Sequence, residues 1–182
     1  MALPASFPAD PLLQENQARP VLVLGLGNIL LQDEGIGVRV LQRLQHAYAF
    51  PPDVELLDGG TAGMALYEHV IDRSHLIVID AVNTGDPPGT LVTLEHDQVP
   101  AYFRTKVSPH QMALSDILAA LQIGGQPLPK IVLFGIVPVS LATGIGLSES
   151  VAEKLDTLVE MTLNRLARIG RESRARLVAR CF

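Results

Sequence analysis

Four side chains in this 182-residue sequence could do chemistry together: Glu34, Asp58, Asp80 and His110. Each acid follows a strand-like segment, Glu34 after the apolar run 20–26, Asp58 at the end of 54–57 and Asp80 at the end of the apolar run 76–79. If those runs are strands of one open α/β sheet, the three carboxylates gather beyond its carboxyl edge, where such sheets bind ligands. Crowded carboxylates repel until a cation or a shared proton relieves them, so the cluster suits metal binding or acid–base work. His110 lies in Ser108-Pro-His-Gln111, where the proline suits a helix start and the imidazole falls in its first turn. Glu34, Asp80 and His110 then supply two carboxylates and one imidazole. That set accepts Ni, Zn, Mn or Fe and leaves coordination positions open. Ordinary explanations compete: Glu34, with Asp33, favours a helix dipole, Asp58 before Gly59-Gly60 suits an Asx turn, and a first-turn histidine can be a cap. Asp80 is hardest to explain this way, because a carboxylate closing an apolar run is seldom buried without a task.

Other motifs exclude chemistries. Gly25-Leu-Gly27 after an apolar run looks like the start of a dinucleotide fingerprint, but the third glycine is missing, and Asp33 and Glu34 would repel a phosphate at the helix start. There is no G-x-S-x-G elbow, no phosphate-binding G-x-x-x-x-G-K-[ST] loop and no H-E-x-x-H. Cys181, next to the last residue, lacks the fixed electropositive setting of a nucleophilic thiol. His46, His69, His75 and His96 read as structural.

The elements that must position the four residues are legible as alternating strands and helices, so an α/β fold is expected. Buried strands are expected at 20–26, 76–79 and 130–137, a short strand at 54–57 and another strand at 90–94. Helices are expected from 34 or 35 to about 48, over 64–71, from 109 or 110 to 121, and over 148–168. The link through 81–89 is rich in Pro and Gly and too short for a helical crossover, so strand 90–94 should run antiparallel at an edge of a mixed sheet. Residues 1–19, with prolines at 4, 8 and 11, read as an irregular arm, 20–168 as one α/β domain and 169–182 as a basic, flexible tail.

Composition agrees with one globular domain: 48% of residues are hydrophobic and 18% charged. Net charge of −5 argues against nucleic acid as a partner, because no basic surface offsets phosphate repulsion. Six of the 14 basic residues are arginines at 165, 168, 171, 174, 176 and 180, so the body is acidic and the tail basic. One cysteine cannot form an intrachain disulfide, and a reducing cytoplasm is expected. The start has neither the basic nor the apolar region of a secretory signal, and no apolar run approaches membrane-spanning length.

The string from Val21 to Val38, Val-Leu-Val-Leu-Gly-Leu-Gly-Asn-Ile-Leu-Leu-Gln-Asp-Glu-Gly-Ile-Gly-Val, closely resembles the opening of the hydrogenase maturation proteases. Leu57-Asp-Gly-Gly-Thr-Ala-Gly63, Asp80-Ala81, Ser108-Pro-His-Gln111 and Phe134-Gly-Ile-Val-Pro138 follow in the family's order, and the likeness spans roughly residues 20–165. The resemblance implies a three-layer α/β/α sandwich around a five-stranded, mostly parallel mixed sheet. It also implies a metal-binding set of Glu34, Asp80 and His110, and a substrate-binding loop at Gly59, Gly60 and Thr61. By the same likeness the chain is expected to be an aspartic-type endopeptidase, and a monomer in the cytoplasm is expected besides. It would remove the C-terminal extension of a [NiFe]-hydrogenase large-subunit precursor after nickel insertion. The nickel is then expected to come with the substrate, and Asp80 or Asp58 to be the general base. Two other readings use the same residues: a general metallopeptidase with its own metal, and a nickel-dependent assembly checkpoint or chaperone that binds without cutting.

Overall fold

The computed structural model describes residues 20–104 and 109–176, with the side chains of 104 and 109–113 excepted. The arm at 1–19, Ser108 and the tail residues 177–182 therefore lie outside the described residues.

Continuous apolar runs form the three inner strands, as expected where both faces of a sheet are covered. β1 (Val21–Leu26) is buried at every residue, β4 (His75–Ala81) and β6 (Lys130–Ile136) at all but the first. With β3 (Val54–Gly60) and β5 (Leu91–Glu95) they make one sheet in the order β3-β1-β4-β6-β5. Pairing is parallel except between β5 and β6, so the short link before β5 does produce an antiparallel edge strand. The order also sets a switch point: β3 adds to one side of β1 and β4 to the other, and open α/β sheets bind their ligands beyond the carboxyl ends at such a point.

Alternation along the strands feeds two cores. Val23, Ile77, Ile79 and Phe134 face α1 (Ile36–Ala47) and α6 (Leu155–Arg168). Leu22, Leu24, Leu26, Leu76, Val78 and Leu133 face the other layer, which includes α3 (Gln98–Arg104) and α4 (Pro109–Ile123). The result is the expected three-layer α/β/α sandwich.

Differences from the expected elements have local causes. The first helix is preceded by a 3₁₀ turn, Gln32–Gly35, so Glu34 lies in that turn and not in α1. The helix expected over 64–71 is a 3₁₀ turn, Gly63–Leu66, continuing into the four-residue α2 (Tyr67–Val70). The last helix is broken into α5 (Glu149–Ala152) and α6. Two short strands, β2 (Tyr48–Ala49) and β7 (Arg174–Ala175), pair antiparallel, so part of the segment read as flexible tail is held in place. Arg176 strengthens this attachment: its backbone N–H donates to Ala47 O (2.8 Å) and its Nε to Tyr48 O (2.9 Å). Among the described residues no helix is long and apolar enough to cross a membrane.

Candidate active site

Glycines bring the Glu34 turn onto the strand ends. Gly27 has φ +118°, and a Cβ there would lie 1.7 Å from the carbonyl oxygen of Glu34. At Gly37 a Cβ would lie 2.2 Å from the carbonyl oxygen of Ile79 and 2.4 Å from that of Leu26. No side chain fits at either position, so the start of α1 is pressed against the carboxyl ends of β1 and β4. Glu34, half-buried, follows β1 there, and Asp80 comes directly after Ile79.

Asp80 is fully buried, 0% exposed. It follows Leu76 and Val78 on the strand face that meets α3 and α4. Its register partner on β6 is Gly135, so no side chain flanks it from that strand. Val82 fills part of the space, since a Cβ on Gly135 would lie 2.5 Å from a Val82 methyl. Tyr102 of α3 holds the chain leaving β4, its hydroxyl accepting the N–H of Asn83 at 2.9 Å.

α4 runs back over the same face of the sheet. Its 15 residues span about 22 Å, close to the length of β6, and it leads directly into that strand. Its start at Pro109 therefore stands at the carboxyl edge and its end at the amino edge. That places the backbone of His110 on Asp80's side of the sheet, at the same edge. The side chain of His110 lies outside the described residues. Among the described residues, which do not include that imidazole, no three His, Cys, Asp or Glu side chains assemble as a metal site.

Asp58 stands apart from this group. It is two strands from β4, with β1 between them, which separates the backbones by roughly 10 Å. Leu57 packs on the core beneath α4, and a Cβ on Gly59 would meet Leu24, Leu26 and Leu66 of that same core. Asp58, between them, faces the other way. It is exposed, and its Oδ1 accepts the N–H of Gly60 at 3.0 Å, the Asx-turn arrangement. Gly60 in turn accepts the N–H of Gly27 at 3.0 Å, tying this loop to the Glu34 turn. Thr61 is exposed at the same edge, while Gly59 is buried.

Sequence reasoning assigned Asp33 only to a helix dipole and missed its main role. Asp33 is fully buried, and its carboxylate accepts from Val139 N–H (2.9 Å), Ser140 N–H (2.9 Å), Ser148 N–H (2.7 Å) and Ser148 Oγ–H (2.8 Å). Burial pushes this carboxyl upward. The bonds from Ser148 and Ser140, with that from Val139, outweigh burial and hold it below the ordinary aspartate value. One carboxylate thus joins the turn carrying Glu34 to the loop after β6. The one available signal was an acid beside an uncharged stretch, which leaves its charge to be met by backbone donors.

A cavity of about 230 Å³ between β5 and α6, lined by Phe134, Met161 and Arg165 among others, opens on the opposite face from Asp80 and contains none of the four residues. Glu34 and Asp80 stand instead at the carboxyl ends of β1 and β4.

A family model described as hydrogenase maturation protease matches residues 38–165. The hydrogenase 2 maturation protease of Escherichia coli (strain K12) is 46% identical over 154 residues, which is 84% of this chain and 94% of that protein. The solved structure of the hydrogenase maturating endopeptidase HybD from E. coli superposes with a TM-score of 0.83 at 45% identity, covering 86% of this chain and 97% of that one. The [NiFe] hydrogenase maturation protease HybD from Thermococcus kodakarensis gives a TM-score of 0.66 at 26% identity, covering 81% and 98%. With the family model spanning most of the sheet and its helices, the chain belongs to the hydrogenase maturation protease family and is a peptidase.

Proposed function

We propose that this peptidase removes the C-terminal extension from the precursor of a [NiFe]-hydrogenase large subunit, and that it recognises nickel already inserted in that substrate. The observation that carries the reading is the placement of Asp80: a fully buried carboxylate at the switch point, with the Glu34 turn against the same strand ends and the start of α4 on its side. Relatives named for hydrogenase maturation, one of them for the [NiFe] enzymes, support the choice of substrate.

Glu34, Asp80 and His110 are the residues that would grip the substrate's nickel. Two carboxylates and an imidazole suit a borderline divalent ion and leave positions for the substrate's own ligands. Holding the metal fixes the peptide relative to the enzyme, so positioning supplies much of the rate. In the hydrolysis, a carboxylate takes a proton from water as the water oxygen bonds to the scissile carbonyl carbon. The C–N bond then breaks and the proton passes to the leaving amine. Asp80 is the better placed base, since Asp58 faces the other side of the sheet and already accepts Gly60 N–H. The Gly59–Thr61 loop, tied to Gly27, lies along the same edge and would contact the peptide. One copy of the chain, acting in the cytoplasm, suffices for this scheme.

The test is the intact mass of nickel-loaded precursor after incubation with the protein or with Asp80→Asn. Loss of a C-terminal peptide with the parent and not with the variant supports the reading. Tight binding by the parent with no change in mass would make the protein a checkpoint instead.

A further inference from the structure

Beside the candidate site, Ile29, Leu30, Val139, Leu141 and Ile145 are all exposed, Leu30 by 56% and Ile145 by 81%. They belong to two loops, 27–32 and 138–147, neither of which contains a charged residue. Single exposed aliphatics are ordinary, but five drawn from two joined loops form the kind of patch that proteins reserve for contact with another chain.

The patch is held on a fixed backbone. Gly144 N–H donates to Leu30 O (2.9 Å), Gln32 N–H to Gly144 O (3.2 Å) and Asp33 N–H to Ser140 O (3.2 Å). The buried Asp33 carboxylate adds its bonds to Val139, Ser140 and Ser148. Few degrees of freedom remain to be lost when such a surface is covered. It is also continuous with the site: Gly35 follows Glu34, and a Cβ there would lie 2.8 Å from the Cα of Ile29.

We propose that this ledge seats an uncharged, aliphatic segment of the precursor next to its scissile bond. The inference rests on the proposed function and adds the chemistry of the substrate segment. Absence of charge from both loops, on a chain of net charge −5, favours an uncharged segment over a basic one that the acidic surface would otherwise attract. Position favours substrate over a second copy of this chain, because a folded copy on the ledge would cover the edge where Glu34 and Asp80 stand. A peptide advances at most about 3.5 Å per residue, so a segment on the ledge keeps the cleaved bond within a few residues of the site.

The experiment compares Leu141→Glu and Ile145→Glu, with Leu141→Ala and Ile145→Ala as milder versions, against Ile123→Glu. Ile123 is 89% exposed at the far end of α4 and serves as the control. Binding of nickel-loaded precursor gives Kd, and intact mass over time gives kcat and KM. The glutamate variants should raise Kd and KM by about tenfold or more while kcat stays within about twofold. The alanine variants should show the same direction with smaller size, and Ile123→Glu should match the parent. The ratio of the Leu141→Ala Kd to the parental Kd should change little between about 0.05 M and about 0.5 M salt, since the ledge itself carries no charge. Parental Kd and KM in both glutamate variants would overturn the proposal. So would sedimentation showing a dimer that these variants dissociate while precursor binding is kept, which would assign the ledge to a second copy. If the parent binds but does not cleave, the functional reading fails, and the Kd values still decide the ledge.

Discussion

Asp58 and Asp80 end strands that flank β1 on either side, and their side chains leave opposite faces of the sheet. Two carboxylates sharing one proton must approach to about 3 Å, which this arrangement forbids. The two should therefore respond differently to the same change. Asp80→Asn should lower cleavage of nickel-loaded precursor by about a hundredfold or more. Asp58→Asn, which keeps an oxygen to accept Gly60 N–H, should stay within about threefold. Equal losses in a side-by-side mass time course would contradict the separate roles.

Asp33 should matter through structure and not through proton transfer. Asp33→Asn turns an amide against donors that now meet a carboxylate, and should cost about 3 kcal/mol of unfolding free energy at neutral pH. The pH dependence follows from the depressed value in the folded chain. Above about pH 3.8, the ordinary aspartate value, the group is charged both folded and unfolded and its contribution is complete. As pH falls below that, the unfolded chain takes the proton first, and the contribution disappears as pH drops through the folded value. Urea titrations of parent and variant should thus differ most at neutral pH and converge in acid. A difference that widens on acidification would contradict this role.

Gly37→Ala should be among the most damaging small changes in the chain. Its methyl would point at two backbone carbonyls that cannot step aside without moving α1 off the sheet. A loss of about 3 kcal/mol or more is expected, read as a lower denaturant midpoint. The Glu34 turn moves with the helix start, so residual folded protein should also cleave more slowly. A midpoint equal to the parent's would mean that the helix start is not held where the structure has it.

The basic segment after α6 is attached at the opposite edge of the sheet from Asp80. Arg171 pairs with Asp53, whose carbonyl accepts the N–H of Val21 at the amino end of β1, and β7 pairs with β2 just beyond the end of α1. Ending the chain after Gly170 should cost about 1–2 kcal/mol of stability. Cleavage of the precursor should be unchanged under conditions where the shortened chain is folded. A selective rise in KM would instead give the arginines a part in substrate capture.

The inner strands β1, β4 and β6 were legible because they are built on unbroken apolar runs, and the antiparallel edge followed from one short link, 81–89, that no helix could occupy. Asp80 stood out for the same reason: it closes the run 76–79, and the structure buries it fully. Asp33 was not legible, because its partners are backbone groups more than a hundred residues away, and no spacing rule records them. Asp58 was ambiguous from spacing alone. A carboxylate at a strand end can face either side, and the register of β3 against β1 decides which. The β2–β7 pair escaped notice because two residues on each strand carry no periodicity to read.

Whether nickel in the substrate directs cleavage is decided by comparing nickel-loaded with nickel-free precursor. Each is incubated with the purified protein and its intact mass followed over time. Loss of a single C-terminal peptide from the loaded form, with the nickel-free form left whole, is the predicted result. Equal cleavage of both forms would contradict metal-guided recognition, and with it the assignment of Glu34, Asp80 and His110 to the substrate's nickel.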